Sequence, residues 1–233
     1  MSLRAPQLIA GTLAVLFFAL FVALGTWQVQ RRTWKLDLIA RVEQRVHAPP
    51  VAAPGPAEWP QVSVARDEYR HVTVTGTFLD QSQTLVQAAT ELGAGYWVLT
   101  PLRTPAGSIV LVNRGFVSSD DRGRVPPGGE TATVTGLLRI TEPGGAFLRH
   151  NNPAANRWYS RDVQAIARAR GLGNVAPYFI DEEARGGAMS LPVGGLTVIR
   201  FHNSHLVYAI TWYTLALMVA GAIGVGIRNE SRR

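Results

Sequence analysis

The sequence contains no cysteine. That absence excludes disulfides, zinc sites built on cysteine, iron–sulfur clusters, covalent c-type haem attachment and thiolate copper sites. The common catalytic signatures are missing too. There is no H-E-x-x-H, no G-x-S-x-G, no Walker loop and no G-x-G-x-x-G. Charge is missing from two long windows. No Asp, Glu, Lys or Arg occurs between 5 and 30, or between 203 and 227, and the second window holds a single histidine, His205.

What those windows do contain is apolar length. Residues 8–24 are almost entirely Leu, Ala, Val, Ile and Phe. A helix rises about 1.5 Å per residue, so roughly 20 apolar residues cross a bilayer core of about 30 Å. The chain is therefore expected to be a membrane protein, with transmembrane helices at 8–29 and 203–227. A cleaved signal peptide is the other reading of the first window, with Ala23-Leu24-Gly25 as a faint cleavage site. The apolar run is too long for a signal core. Helical spacing also continues beyond it through Trp34, Leu38, Val42 and Val46, so 30–47 is read as an amphipathic extension. The stretch before the first window has no room for a mitochondrial transit peptide, so a bacterial plasma membrane is expected.

The formal charge is +7. Much of the excess lies beside the spans, at Arg31, Arg32, Lys35, Arg41, Arg45 and Arg228, where it can meet anionic lipid headgroups. No basic–aromatic stripe is present, so the lipid bilayer is an expected partner and nucleic acid is not. A literal positive-inside count places the central domain in the cytoplasm, although long domains translocate largely regardless of flanking charge.

Five prolines between 47 and 60 mark 48–68 as an extended linker. From 69 to 202 the pattern is β-rich. Val72, Val74 and Phe78 alternate with threonines, and strands follow at 83–88, 96–103, 108–116, 131–140 and 177–181, with a hairpin joining the second and third of these. The string TVTG occurs at 73–76 and 133–136, as a duplication or as two ordinary β-branched strands ending in glycine. One helix is expected after Ser160 as N-cap, through Val163, Ile166 and Ala167 to a stop at Gly171. From 182 to 195 a glycine-rich loop leads through Thr197, Ile199 and Phe201 into the second span. The expected fold is thus an α+β soluble domain, an antiparallel barrel or sandwich with one helix, bracketed by the two spans.

Catalytic candidates are few. The adjacent pairs Glu182–Glu183 and Asp120–Asp121 read as solvent-facing, and His71 and His150 as structural histidines. His205 stands apart. On a helix it shares a face with Tyr208, Ala209, Trp212 and Ala216. Two readings fit that face: an imidazole that ligates haem iron between aromatic side chains, or an interfacial aromatic belt. Ala216, Ala220 and Gly224 form a small-residue stripe suited to helix packing or to lipid.

The chain resembles the Surfeit locus protein 1 family of cytochrome c oxidase assembly factors. The resemblance is carried, in order, by GTWQVQRRTWKLDLI (25–39), GYWVLTPL (95–102), VLVNRGFV (111–117, with Val110), NNPAANRWYSRD (151–162), PYFID (177–181) and NSHLVYAITWYTLA (203–216). It implies a non-enzymatic factor that receives or presents haem a, with oxidase subunit I as partner and haem A synthase as a donor. It further implies cytoplasmic termini and a periplasmic domain, against the literal charge count. The residue it matches to the haem-binding histidine is His205, with Tyr208 and Trp212 beside it as cofactor contacts. Trp27, Gln28 and Trp34 match the exit motif and are read first as packing residues. Phe116, Ser118 and 79–83 depart from the family pattern, so no haem contact is expected from that stretch. A structural scaffold for an oxidase intermediate, acting without haem, is the competing function, and a membrane enzyme acting on haem or quinone is the third.

Overall fold

A computed structural model describes residues 5–129, 131–146, 148–184, 191–197 and 203–231. The expectations at Ile199 and Phe201 lie outside the described residues. The chain forms two compact units, one of residues 1–41 with 200–233, the other of residues 42–199.

Helix α1 (Ala5–Val46) is unbroken, joining the apolar window to its amphipathic extension in one element. It contains no internal proline after its first turn and no charge until Arg31, so nothing interrupts the helical hydrogen bonds. The proline-rich stretch after it is packed against the domain. It begins with the edge strand β1 (Val51–Ala52) and ends in one helical turn, α2 (Val64–Asp67). Proline tolerates an edge position because no N–H is needed on the open side. Trp59 rests on the core, and the Tyr178 hydroxyl donates to the Pro54 carbonyl oxygen at 2.7 Å. Burial pushes the Tyr178 phenol pKa above its ordinary value.

The sheet follows with β2 (His71–Phe78), β3 (Thr84–Thr90), β4 (Gly93–Arg103), β5 (Ile109–Ser118) and β6 (Ala132–Ile140). A small hairpin, β7 (Gly145–Ala146) and β8 (Arg149–His150), precedes α3 (Val163–Ala169) and β9 (Val175–Glu182). The order is β1-β2-β6-β9-β5-β4-β3, and β2 also pairs with β4. That last pairing closes a five-stranded ring, β2-β6-β9-β5-β4, so the alternative between barrel and sandwich resolves to a barrel-like sheet. Most ladders are antiparallel, while β5–β9 and the short β1–β2 are parallel. The parallel β5–β9 ladder arises because β6, antiparallel to β9, lies between the two in the chain, so the direction reverses twice.

Alternation along the strands sorts two cores. Val72, Phe78, Leu102, Val110, Val112, Val134, Leu138, Tyr178 and Ile180 fill the barrel. Val86, Leu99, Leu111, Trp158 and Phe179 point outward and are covered by Val163 and Ile166 of α3. Strand β5 is buried on both faces over nearly its whole length, which is why its sequence is an almost continuous apolar run. Each fully buried side chain of this size contributes on the order of 1.5–3 kcal/mol. Helix α3 is capped by Asp162, whose Oδ1 accepts from the Ala165 N–H at 3.0 Å. The expected cap, Ser160, instead takes a hydrogen bond from the Asn151 amide. Its position two residues too early leaves the first free N–H groups out of reach.

The two TVTG strings are neighbours. Thr73, Val74 and Thr75 pair with Thr135, Val134 and Thr133 in an antiparallel register. The hydroxyls of Thr75 and Thr133 lie 2.9 Å apart. The glycine that ends each string has its own steric reason. A Cβ on Gly76 would lie 2.4 Å from the Arg103 carbonyl oxygen, and one on Gly136 would lie 2.1 Å from that of Asp181. Glycine permits the close strand contacts at which β2 reaches β4 and β6 reaches β9.

Helix α4 (His205–Glu230) ends the described chain. Both long helices are apolar enough to cross a membrane by length and composition.

Gly136→Ala is expected to destabilise the barrel by about 2–3 kcal/mol, because the obstacle is backbone that cannot rotate away. Gly123→Ala, whose Cβ would meet nothing, is expected to change stability by less than about 0.5 kcal/mol. Thermal unfolding of the full chain in detergent, followed by circular dichroism, checks both.

Candidate functional site

Helices α1 and α4 pack against each other through a short series of specific contacts. Phe21 stacks on Trp212 with ring centroids 5.7 Å apart. A Cβ on Gly25 would lie 2.8 Å from the Tyr213 ring, so glycine at that position lets the ring lie on α1. The Tyr213 and Thr26 hydroxyls are 3.1 Å apart. Ala209 and Ala216 are buried in the helix pair. Ala220 and Gly224, the rest of the small-residue stripe, are exposed.

His205 is the first residue of α4. Its Nδ1 lies 2.8 Å from Oε1 of Gln28 on α1. An amide oxygen only accepts, so in this contact Nδ1 is the donor and Nε2 points away from Gln28. Nε2 has no hydrogen-bond partner among the described residues. Two residues earlier in the chain, the buried Oδ1 of Asn203 has no hydrogen-bond partner among the described residues. The start of α4 therefore carries a ring nitrogen and, just ahead of it, a buried acceptor that have no hydrogen-bond partner among the described residues.

The other candidates from the sequence separate. Trp212 serves the stack with Phe21, two helical turns from His205. Tyr208 lies on the rim of the helix face and is 53% exposed. Of the exit-motif residues, Gln28 is buried, whereas Trp27 and Trp34 are exposed and Arg31 lies over the Trp34 ring at 4.2 Å. Among the described residues no three His, Asp or Glu side chains gather as a metal site. A bare ion of the zinc type needs three or four protein ligands. A porphyrin already supplies four nitrogens to its iron, so a single imidazole suffices there. Among the described residues the donor at His205 is a single imidazole, a donor set compatible with a haem.

A second cluster, in the soluble domain, is not marked by any sequence motif. Asp181 is 3% exposed. It accepts hydrogen bonds from Asn113 at 2.8 Å, Arg139 at 2.8 Å, Arg161 at 3.1 Å and the Thr197 hydroxyl at 3.0 Å. Glu68 and Glu142 engage the remaining guanidinium nitrogens. Burial works against the Arg139 charge, but Asp181 and Glu68 outweigh it and hold its pKa above the ordinary arginine value. A cavity of about 340 Å³ lies over this network, with Tyr69 and Trp97 in its walls. Both arginines are already paired, so the network is a structural clamp rather than an anion site.

The paired carboxylates also differ from expectation. Glu182 ends β9 and is buried, whereas Glu183 is exposed and meets Nε2 of His71 at 2.9 Å. Strand alternation sends neighbours to opposite faces, so the two do not act as a pair. His71 is otherwise tied through Nδ1 to the Ala48 carbonyl oxygen. Asp121 takes hydrogen bonds from Ser118 and Arg124.

Asp181→Asn removes the buried charge shared by two half-buried arginines and is expected to cost about 3 kcal/mol. Glu142→Gln, at a more open position, is expected to cost about 1 kcal/mol or less. Denaturant unfolding of the two variants checks the contrast.

Comparison with known proteins places this geometry in a lineage. A sequence model described as the SURF1 family matches residues 15–217. Surfeit locus protein 1 of Homo sapiens is 40% identical over 216 residues, covering 83% of this chain and 69% of its own length. The Mus musculus protein of the same name is 39% identical over 214 residues, covering 82% and 67%. A SURF1-like protein of Monosiga brevicollis is 37% identical over 231 residues, covering 89% and 83%. The match takes in most of α1, the whole barrel and the His205 end of α4, and the chain belongs to the SURF1 family.

Proposed function

We propose that this chain is a membrane-anchored, non-enzymatic assembly factor for haem a-containing cytochrome c oxidase, holding haem a at the start of α4 and presenting it to subunit I. In this reading α1 and α4 both cross the membrane, which brings the two termini to one side and the barrel to the other. Family membership supports the assembly role. The observation that supports the haem role is Nε2 of His205, which has no hydrogen-bond partner among the described residues while the other ring nitrogen is held by Gln28.

His205 would hold the haem through its imidazole, and haem a would supply the redox-active centre that the oxidase requires. The chain's own residues hold and orient. Gln28 fixes the imidazole, and the Phe21–Trp212 stack and the Gly25–Tyr213 contact fix the two helices that carry it. Asn203 offers its unmet acceptor to a donor group on whatever binds there. The small contact set suits transient holding, since a factor that hands on its cargo must also release it.

The full chain, purified in detergent from cells that make haem a, is expected to carry haem a in its absorbance spectrum. His205→Ala is expected to lose most of it while keeping the same circular dichroism. A wild-type protein without haem a, or an alanine variant that carries as much, would leave the scaffold reading in its place.

A further inference from the structure

We propose that Gln28 is the positioning residue of this site, setting the tautomer and ring orientation of His205 so that Nε2, rather than Nδ1, meets an incoming iron. The proposal deepens the haem reading and rests on it for its function, but the tautomer itself is a property of the protein alone.

The neutral side chain of a histidine in water favours the proton on Nε2, and a protonated ring nitrogen has no lone pair to offer a metal. A metal-bound histidine is usually held the other way, with its second N–H donated to a carbonyl or carboxylate oxygen. The Gln28 side chain supplies such an oxygen at 2.8 Å. Gln28 is buried, with 9% of its surface exposed, so water competes poorly for either partner. An uncharged glutamine in a long apolar helix is also costly unless hydrogen-bonded, which gives the contact a clear energetic reason to persist. Its register is not free to drift. Gly25 and Thr26 lie within the preceding turn of α1 and contact Tyr213, and Phe21 is stacked on Trp212. Gln28 follows Gly25 by three residues, which places the amide on the same helix face, toward α4.

Among the described residues no Asp, Glu, Lys or Arg hydrogen-bonds to either side chain of this pair. The orienting group is therefore neutral. A neutral amide holds the ring without adding the negative charge that would bind iron more strongly, as suits a site that must let its cargo go.

The test uses the full chain in detergent, labelled with nitrogen-15 and free of haem. The His205 side-chain signals are assigned by their loss in His205→Ala. In the wild type, Nδ1 is expected to carry the proton and Nε2 to show the shift of an unprotonated ring nitrogen. Gln28→Leu is expected to reverse the two. Gln28→Glu, which keeps an acceptor oxygen, is expected to retain the wild-type tautomer and guards against a leucine variant that fails to fold. A wild type with the proton on Nε2, a leucine variant unchanged, or a glutamate variant that reverses would each overturn the proposal. Titration with ferric haem then adds a second readout. Gln28→Leu is expected to bind about 10–100-fold more weakly, the range usual for loss of a hydrogen-bond partner of a metal-bound histidine, and Gln28→Glu more tightly than wild type. Equal affinities for both variants would also overturn it. Failure of the haem a spectrum in the purified wild type would instead strike the functional reading and leave the tautomer result standing.

Discussion

The Asp181 carboxylate is the interaction on which the soluble domain turns. It sits at the end of β9, in the middle of the closed sheet, and accepts from Asn113 on β5, Arg139 on β6, Arg161 ahead of α3 and Thr197 beyond the strand. Those four donors come from segments far apart in the chain. Two of them are guanidinium groups that also lie over Phe179, so the charge network and the outer apolar core share a wall. A buried cluster of this kind adds little net stability compared with an apolar replacement, but it punishes any arrangement that leaves one partner out. The barrel and its covering helix are thereby tied to one register.

The helix pair obeys a different constraint. Most of the exposed large apolar side chains lie on α1 and α4, as expected of helices whose solvent is lipid. Hydrophobicity cannot hold two such helices together, because lipid tails are equally apolar. Their docking depends on shape at Gly25 and Tyr213, on ring stacking at Phe21 and Trp212, and on the polar contact of Gln28 with His205. A concavity of about 890 Å³ along the pair, lined by residues such as Ala14, Phe17, Ala222 and Gly226, lies at the opposite ends of the helices from His205. The Gln28–His205 contact is thus separated from this apolar gap.

Much of this was legible in the sequence, for reasons that differ by element. The two long helices were visible because a charge-free run of that length has few other uses. The barrel strands were visible through alternation at Val72, Val74 and Phe78 and through the buried run of β5. The closure of β2 on β4 was not, because only two residue pairs make it. The cap of α3 was displaced because Ser160 and Asp162 are both good caps and only tertiary contacts decide between them. His205 was legible as an outlier in an apolar helix. Gln28 was not, since its role depends on which α4 residue lies opposite, and helical spacing within one segment says nothing of that. Asp181 was hidden for the same reason: its four partners have no common spacing.

The paired TVTG strings have a consequence for the folding chain. Their antiparallel register is self-complementary about Val74 and Val134, so a β2 strand would find in the β2 of a second molecule the same backbone partners and threonine neighbours that β6 provides. Correct pairing and pairing between molecules are therefore locally degenerate. During synthesis β2 emerges well before β6, and for that interval it is a sticky edge without its proper mate. The repeat that looks like an economy of sequence is also a point at which crowding of newly made chains would divert them into swapped pairs.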